Sequence, residues 1–523
     1  MEENMETAKS FIHMNNLKGQ IVTQLTLDDD FNVPDINADI EKYITKDALV
    51  HIESVKASEG RVNIRGRMDF KILYGCSSDK KVIHSMGNSI PFDEIINGDK
   101  IGNNDVVNVK CTIDDLNIGI INTRKISVKA VLTLNVSAEQ VHDIEAVEEI
   151  TEDDSVNYLR RKEQIMQIVV NKKDTYRIRE DIELSANKPN ISEILWSTVA
   201  LNNISTRLYP EKVGVSGELM LFMLYDDEEE DTPVQWMEAS VPFDGSIDVS
   251  GCDEDMLGDI ETSISSVNVN IKPDYDGEQR MVELEVVLEL AMRVYKEDEV
   301  SILSDVYSLK NELTPVYQEL SYSTLVTKNI SKCKINDKLR LDKDSGHVLQ
   351  LLSAQGAACI EDVFVEEKGL RVEGIVKMKI MYVSSDDRMP LNIADEVVPF
   401  SHLIEAQGVT EQSMSFIRPS LEQISTVMSG NNEIEVKCSA VLDTLVLDNK
   451  SSKFIKEVQS VPFDLKKLQN IPSMAGYVVK ERDTLWEIAK RYCTTIQSIM
   501  KINEMKSENI NKGDMLVIIK ETP

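Results

Sequence analysis

A short signature recurs three times at fixed spacing, and it constrains the fold more than any other feature of the chain. It reads Gly66 … Tyr74 … Ile90-Pro91-Phe92, then Gly217 … Tyr225 … Val241-Pro242-Phe243, then Gly374 … Tyr382 … Val398-Pro399-Phe400. Tyrosine follows glycine by eight residues each time, and proline follows tyrosine by 17. Three matches in register with no insertion imply one domain in three tandem copies. Flanking segments agree. Strand-like runs starting at Ile21, Ile178 and Ile335 recur every 157 residues, and closing runs cover 126–132, 282–288 and 434–442. The interval from the proline to the closing run is 35, 40 and 35 residues, and the middle copy's extra five fall near the turn-rich Pro273–Gly277. The copies are placed at 12–145, 165–310 and 322–463, with a further module at 475–523.

Each copy reads as mainly β. The runs Ile126-Ser-Val-Lys-Ala-Val-Leu-Thr-Leu134 and Val282-Glu-Leu-Glu-Val-Val-Leu-Glu-Leu290 put apolar side chains on one face at period two. The glycine marks a bulge or a close backbone approach. The Pro-Phe step, lacking one backbone donor, suits an edge strand. One short helix per copy is expected near Asp35–Tyr43, Ser192–Trp196 and His347–Leu352, and packed connectors over 145–173 and 301–334. The acidic run Asp226–Asp231 reads as a solvated loop, with a docking site for a basic partner as the alternative.

The last segment changes character. Tyr477–Lys480 reads as a strand. Asp483 and Thr484 supply helix-capping chemistry, with Glu487 placed for a capping box. Leu485, Ile488, Ala489 and Tyr492 form one apolar helix stripe. Thr495 caps a second helix, Gly513-Asp514 is a turn, and Met515–Ile519 closes a βααβ unit. This pattern resembles the LysM fold, on Tyr477-Val-Val, Asp483-Thr-Leu-Trp-Glu-Ile-Ala489, Tyr492, Thr494-Thr495, Asn503 and Ile510–Gly513 through Leu516 and Ile518. That resemblance implies a shallow groove for N-acetylglucosamine polymers made by Asp483, Thr484, Leu485 and Trp486 with Ile510, Asn511, Lys512 and Gly513. Arg482 stands where the family usually has glycine, and Lys512 where it usually has proline. Together they make the rim basic and shift the expectation towards a protein ligand.

Tandem β repeats followed by such a module resemble the DUF3794 repeats of SipL-type spore coat morphogenetic proteins of endospore-forming bacteria. The resemblance implies a cytoplasmic scaffold of the mother cell. It would assemble the spore coat at the forespore surface, its module docking to the coat ATPase SpoIVA, with other coat proteins and self-association as further contacts. The alternative is a cell-envelope protein that binds peptidoglycan.

Composition narrows the other classes. The formal net charge of −33 repels phosphate backbones and anionic lipid surfaces, so neither nucleic acid nor membrane insertion is expected. No apolar run approaches the ~20 residues that span a bilayer, and the acidic start of the chain lacks a signal-peptide pattern. The seven cysteines include no CxxC pair, so they read as reduced thiols of a cytosolic protein. No HxxH, HExxH, GxxxxGK[ST], GxGxxG or GxSxG motif occurs, so no enzyme, metal or cofactor is expected.

Overall fold

The computed structural model describes residues 3, 4, 7–76, 81–99, 101–103, 105–150, 155–227, 234–341, 347–386, 390–430, 432–463 and 469–521. After a two-residue strand β1 (Glu3–Asn4), the first copy consists of β2 (Thr7–Asn32), β3 (Lys42–Ser58), β4 (Arg61–Gly75), β5 (Ile83–Asn97), β6 (Val106–Asn122) and β7 (Lys125–Ile150). The second consists of β8 (Val156–Glu183), β9 (Glu193–Tyr209), β10 (Lys212–Asp226), β11 (Gln235–Asp248), β12 (Leu257–Pro273) and β13 (Gln279–Ser308). The third consists of β14 (Asn311–Arg340), β15 (Val348–Glu366), β16 (Gly369–Ser384), β17 (Leu391–Glu405), β18 (Met414–Gly430) and β19 (Glu433–Pro462).

Each copy holds two antiparallel sheets. The second, third and fourth strands form a meander, as in β3-β4-β5. The first, last and fifth form the other sheet, as in β2-β7-β6. The sheets face each other over a closed apolar core, such as the one built from Ile64, Met68, Ile72, Ile126, Leu132 and Leu134 in the first copy. Alternation at period two creates that core. In β4 the buried residues Val62, Ile64, Gly66, Met68, Phe70 and Ile72 all point to one side.

The recurrent signature now has a packing reason. Gly66 pairs directly with Phe92, Gly217 with Phe243 and Gly374 with Phe400. In each pair the ring covers the glycine: a Cβ there would lie 2.6, 3.0 or 2.7 Å from the ring tip. A register shift falls at the same point on the other side of the central strand, at Ile52/Ser54, Ser216/Glu218 and Ile360/Asp362. Both expectations for the glycine, bulge and close approach, hold. The proline beside each phenylalanine sits on the edge strand of its meander. The recurrent tyrosines are buried. Tyr74 and Tyr225 donate to the Ala38 and Pro189 carbonyls, 3.0 and 3.3 Å away, and so pin the loop that joins the two sheets. Burial pushes both phenols up to about 12.

Three expectations are corrected. The short helices do not form. Asp35–Tyr43 is a turn closed by Asn37 N–H to Pro34 C=O at 2.9 Å and then the start of β3, while β9 and β15 begin at Glu193 and Val348. The connectors are strands: β7, β8, β13, β14 and β19 each run 26–30 residues and extend the paired first and last strands into long ribbons. With these ribbons included, the strands of the three copies span 7–150, 156–308 and 311–462. In the acidic run, Asp226 and Asp227 are buried, and Asp226 is paired with Lys81 of the first copy at 3.0 Å; residues 228–231 lie outside the described residues. The extra residues of the middle copy do form the turn at Asp274–Glu278 between β12 and β13.

The three copies are not separate beads. They close around a pseudo-threefold axis, visible in two clusters made of equivalent residues. At one end Ile44, Leu195 and Leu352 meet Leu73, Leu224 and Met381, together with Ile83, Val234 and Leu391. At the other, the ribbons bring together Val147, Leu303 and Ile455 with Ile150, Val306 and Val458. Spacing along the chain (151 and 157 residues for the first set, 156 and 152 for the second) reproduces the repeat offsets, so each position is supplied once by each copy. Between the clusters lies a chamber of about 3010 Å³ lined by all three copies, where Lys and Arg match Asp and Glu in number. A line of charges crosses the assembly: Arg293 meets Glu139 at 2.7 Å, and Arg418 meets the buried Asp259 at 2.8 Å.

Candidate functional site

The C-terminal module is the expected βααβ unit: β20 (Met474–Val478), α1 (Leu485–Tyr492), α2 (Ile496–Ile502) and β21 (Met515–Ile519), with β20 and β21 antiparallel. Both helix starts follow the capping reading. Thr484 accepts from the Glu487 amide at 3.2 Å while Glu487 reaches back to the Thr484 amide at 3.3 Å, and Thr495 accepts from the Ser498 amide at 3.1 Å. Asn503 ties α2 to β21, donating to the Ile499 and Val517 carbonyls and accepting from the Val517 amide. Leu485, Ile488, Ala489, Ile499, Leu516 and Ile518 fill the small core.

The two predicted groove loops do come together. Gly513 N–H donates to Val479 C=O and Val479 N–H to Asp514 C=O, both at 2.9 Å, and the Lys512 ammonium lies 3.2 Å from the Glu481 carboxylate across the loops. Gly513 has φ +97° and Arg482 φ +70°, which explains why glycine suits both positions. Asp483 is committed to its own loop. The Tyr477 hydroxyl and the Lys480 amide donate to it at 2.6 and 2.8 Å, and those bonds hold its carboxyl below the usual range. Thr484, Asn511 and Lys512 are exposed and Ile510 is half-buried against the core.

Leu485 and Trp486 depart from the expectation. Both are buried, at 3 % and 8 % exposure, and neither side chain lines an open groove. Leu485 faces the module's own core. Trp486 faces the second repeat, where its ring meets Tyr307 edge-on at 4.9 Å and its indole N–H donates to Asp305 Oδ2 at 2.8 Å. Lys490, one turn on, reaches the same carboxylate at 2.7 and 2.9 Å. Tyr307 in turn donates to the Thr494 carbonyl at 2.9 Å in a buried contact. Burial alone would raise Asp305, but hydrogen bonds from Lys490 and Trp486, the Lys490 charge and the Val306 amide together hold it below the usual range.

The opposite side of the module is bare. On the two-stranded sheet, Met474, Val478, Met515, Val517 and Ile519 share the face turned away from the helices and are 37–82 % exposed. Sequence reasoning missed this face, although Met515-Leu-Val-Ile-Ile519 is apolar at outward as well as inward positions, which is the signal a covered sheet would leave. No aromatic side chain of the module is exposed. Among the described residues, no group of three or more His, Cys, Asp or Glu side chains could hold a metal ion, and no helix is long and apolar enough to cross a membrane. Among the described residues no disulfide joins the cysteines, five of which are buried.

A triplicated β repeat with a small βααβ module defines a multi-domain protein of the repeat-plus-binding-module class. Residues 39–121, 190–272 and 347–429 match the SipL, SPOCS domain family, and 477–518 match the LysM domain family. The chain thus has the sporulation-related SipL-type architecture, three SPOCS domains in tandem and a C-terminal LysM domain. The SPOCS matches begin just before the second strand of each copy and end within the fifth, so the long ribbons fall outside them. A stretch of 43 residues is 50 % identical to LysM domain-containing GPI-anchored protein 1 of Arabidopsis thaliana, covering 8 % of this chain and 10 % of that protein. No solved structure matches the chain.

Proposed function

We propose that this chain is a non-catalytic scaffold of spore coat assembly. It acts in the mother-cell cytoplasm at the forespore surface, and its LysM module docks on the coat ATPase SpoIVA. What supports a protein ligand over a glycan is the bare apolar face of Met474, Val478, Met515, Val517 and Ile519. An exposed apolar patch of this kind, on a module with no exposed aromatic ring to stack on a sugar, suits a protein partner. The repeats, fused into one closed body, give the module a large rigid base and leave their outer surfaces for other coat proteins and for self-association.

The test is capture of purified SpoIVA by the full chain. Met474→Asp with Val517→Asp places charge on the apolar face without touching the core, and capture is expected to fall at least tenfold while the melting temperature holds. Unchanged capture overturns the reading. A second reading, peptidoglycan binding, is favoured by the 50 % identity over the LysM stretch. It predicts retention on insoluble peptidoglycan that the charged face variant leaves intact.

A further inference from the structure

The LysM module follows the third SPOCS repeat in the chain, yet the residues that hold it belong to the second. Asp305 and Tyr307 sit at the far end of β13, about 180 residues before their partners Trp486, Lys490 and Thr494. We infer that this end of β13 is a dedicated seat for the chain's own LysM module, and that it fixes the direction in which the module's apolar face points.

Three observations carry the inference. First, several polar groups on each side bond across the contact. The Trp486 indole N–H, the Tyr307 hydroxyl and the Lys490 ammonium all bond across it, and the Asp305 carboxylate takes donors from two module side chains. Second, the seat exists once. With the last strands aligned on Ile126, Val282 and Ile434, the positions equivalent to Tyr307 are Thr151 and Gln459, and those equivalent to Asp305 are Glu149 and Glu457. The other two repeats therefore lack the aromatic platform. Third, Trp486 and Lys490 lie one turn apart on the outer side of α1, while Leu485, Ile488 and Ala489 face inward. The helix side is thus turned to the repeat body, and the sheet face lies on the reverse of the module.

Trp486 then acts as a positioning residue. It does not meet the module's partner; it orients the module that does. The inference builds on the proposed partner docking only for the use of that orientation, since the seat itself is a property of this chain alone.

The experiment is fluorine NMR of the full chain labelled with 5-fluorotryptophan, which reports on Trp196, Trp236 and Trp486, the last assigned with Trp486→Phe. A seated module tumbles with the 59.0 kDa chain, so the Trp486 line is expected to be as broad as that of Trp196 in the repeat core. Asp305→Ala with Tyr307→Ala is expected to narrow the Trp486 line severalfold and move it towards an exposed position, with the other two lines unmoved. The single variant Asp305→Ala, which keeps the aromatic contact, is expected to shift the Trp486 line in the same direction by less. A narrow Trp486 line in the unmodified chain, or a broad and unmoved one in the double variant, overturns the inference. SpoIVA capture by the same variants separates the two proposals. A seated module in a chain that never captures SpoIVA sinks the docking partner alone, whereas full-strength capture by the unseated variant sinks the positioning role.

Discussion

Adding one methyl group at the repeat glycines should separate the three copies by a margin the structure fixes in advance. At Gly374 a Cβ would lie 2.4 Å from the Cys359 carbonyl oxygen and 2.7 Å from the Phe400 ring tip. At Gly66 the distances are 2.5 Å to the His51 carbonyl oxygen and 2.6 Å to Phe92. Real Cβ atoms essentially never come within 3.0 Å of another heavy atom, so strands β3 and β4, or β15 and β16, must part by roughly half an ångström beside the register shift. At Gly217 the nearest carbonyl, that of Asn202, stays 3.1 Å away, and the 2.7 Å contact is with Ile204 Cδ1, the far end of a side chain that can rotate. Overpacking against backbone costs about 1–3 kcal/mol, whereas alanine for glycine in a strand returns about 0.5–1 kcal/mol through the unfolded chain. Gly66→Ala and Gly374→Ala should therefore lose about 1–2 kcal/mol net, and Gly217→Ala should be roughly neutral. Urea unfolding followed by circular dichroism reads this as a midpoint shift of roughly 0.3–0.7 M at a slope of about 3 kcal/mol/M. Phe400→Leu added to Gly374→Ala should not restore stability, because the carbonyl contact remains. Full rescue by that second change, or a Gly217→Ala loss equal to the other two, would refute the argument that backbone approach, and not the ring, dictates glycine.

Two further outcomes follow from the module. Asp305 has a carboxyl held below its ordinary value of 3.8, so its contribution to seating is complete above that pH and fades only as pH falls through the lowered value. The Trp486 fluorine line should accordingly stay broad from pH 7 to about 4.5; narrowing near pH 6 would show that another group controls the seat. Leu485 is 3 % exposed in the module core, and Leu485→Ala should destabilise the module by about 2–5 kcal/mol. Amide exchange over α1 and α2 would measure it, and protection unchanged from the parent would mean that Leu485 does not pack as described.

Much of the site was legible because its signals are local. The capping box at Thr484 and Glu487, the stripe Leu485–Ile488–Ala489 and the turn at Gly513 each depend on residues a few positions apart, and all appear as read. Trp486 was misread because the same local pattern leaves it on the helix surface. Only Tyr307 and Asp305, about 180 residues earlier, turn that surface into an interface. The long ribbons were misread for a similar reason. Segments 145–173 and 301–334 alternate poorly because neighbouring repeats meet them on both faces: Ile165 packs with Ile302, Tyr322 and Phe454 while the adjacent Met166 packs with Leu445 and Leu447, so the one-sided pattern of an ordinary strand is absent.

The sequence alone determined the repeat unit, its β character, the special role of the repeat glycine and the βααβ module, since period, turn chemistry and capping are written within short windows. Tertiary structure alone decided that the three repeats close into one ring around a chamber, that the module rests on the second repeat, and which apolar face is left bare. A strand pattern states that one side must be covered; it does not state by what. That choice is made by contacts such as Glu139 with Arg293 and Tyr307 with Thr494, between groups more than 150 residues apart, whose pairing depends on how whole domains fit together.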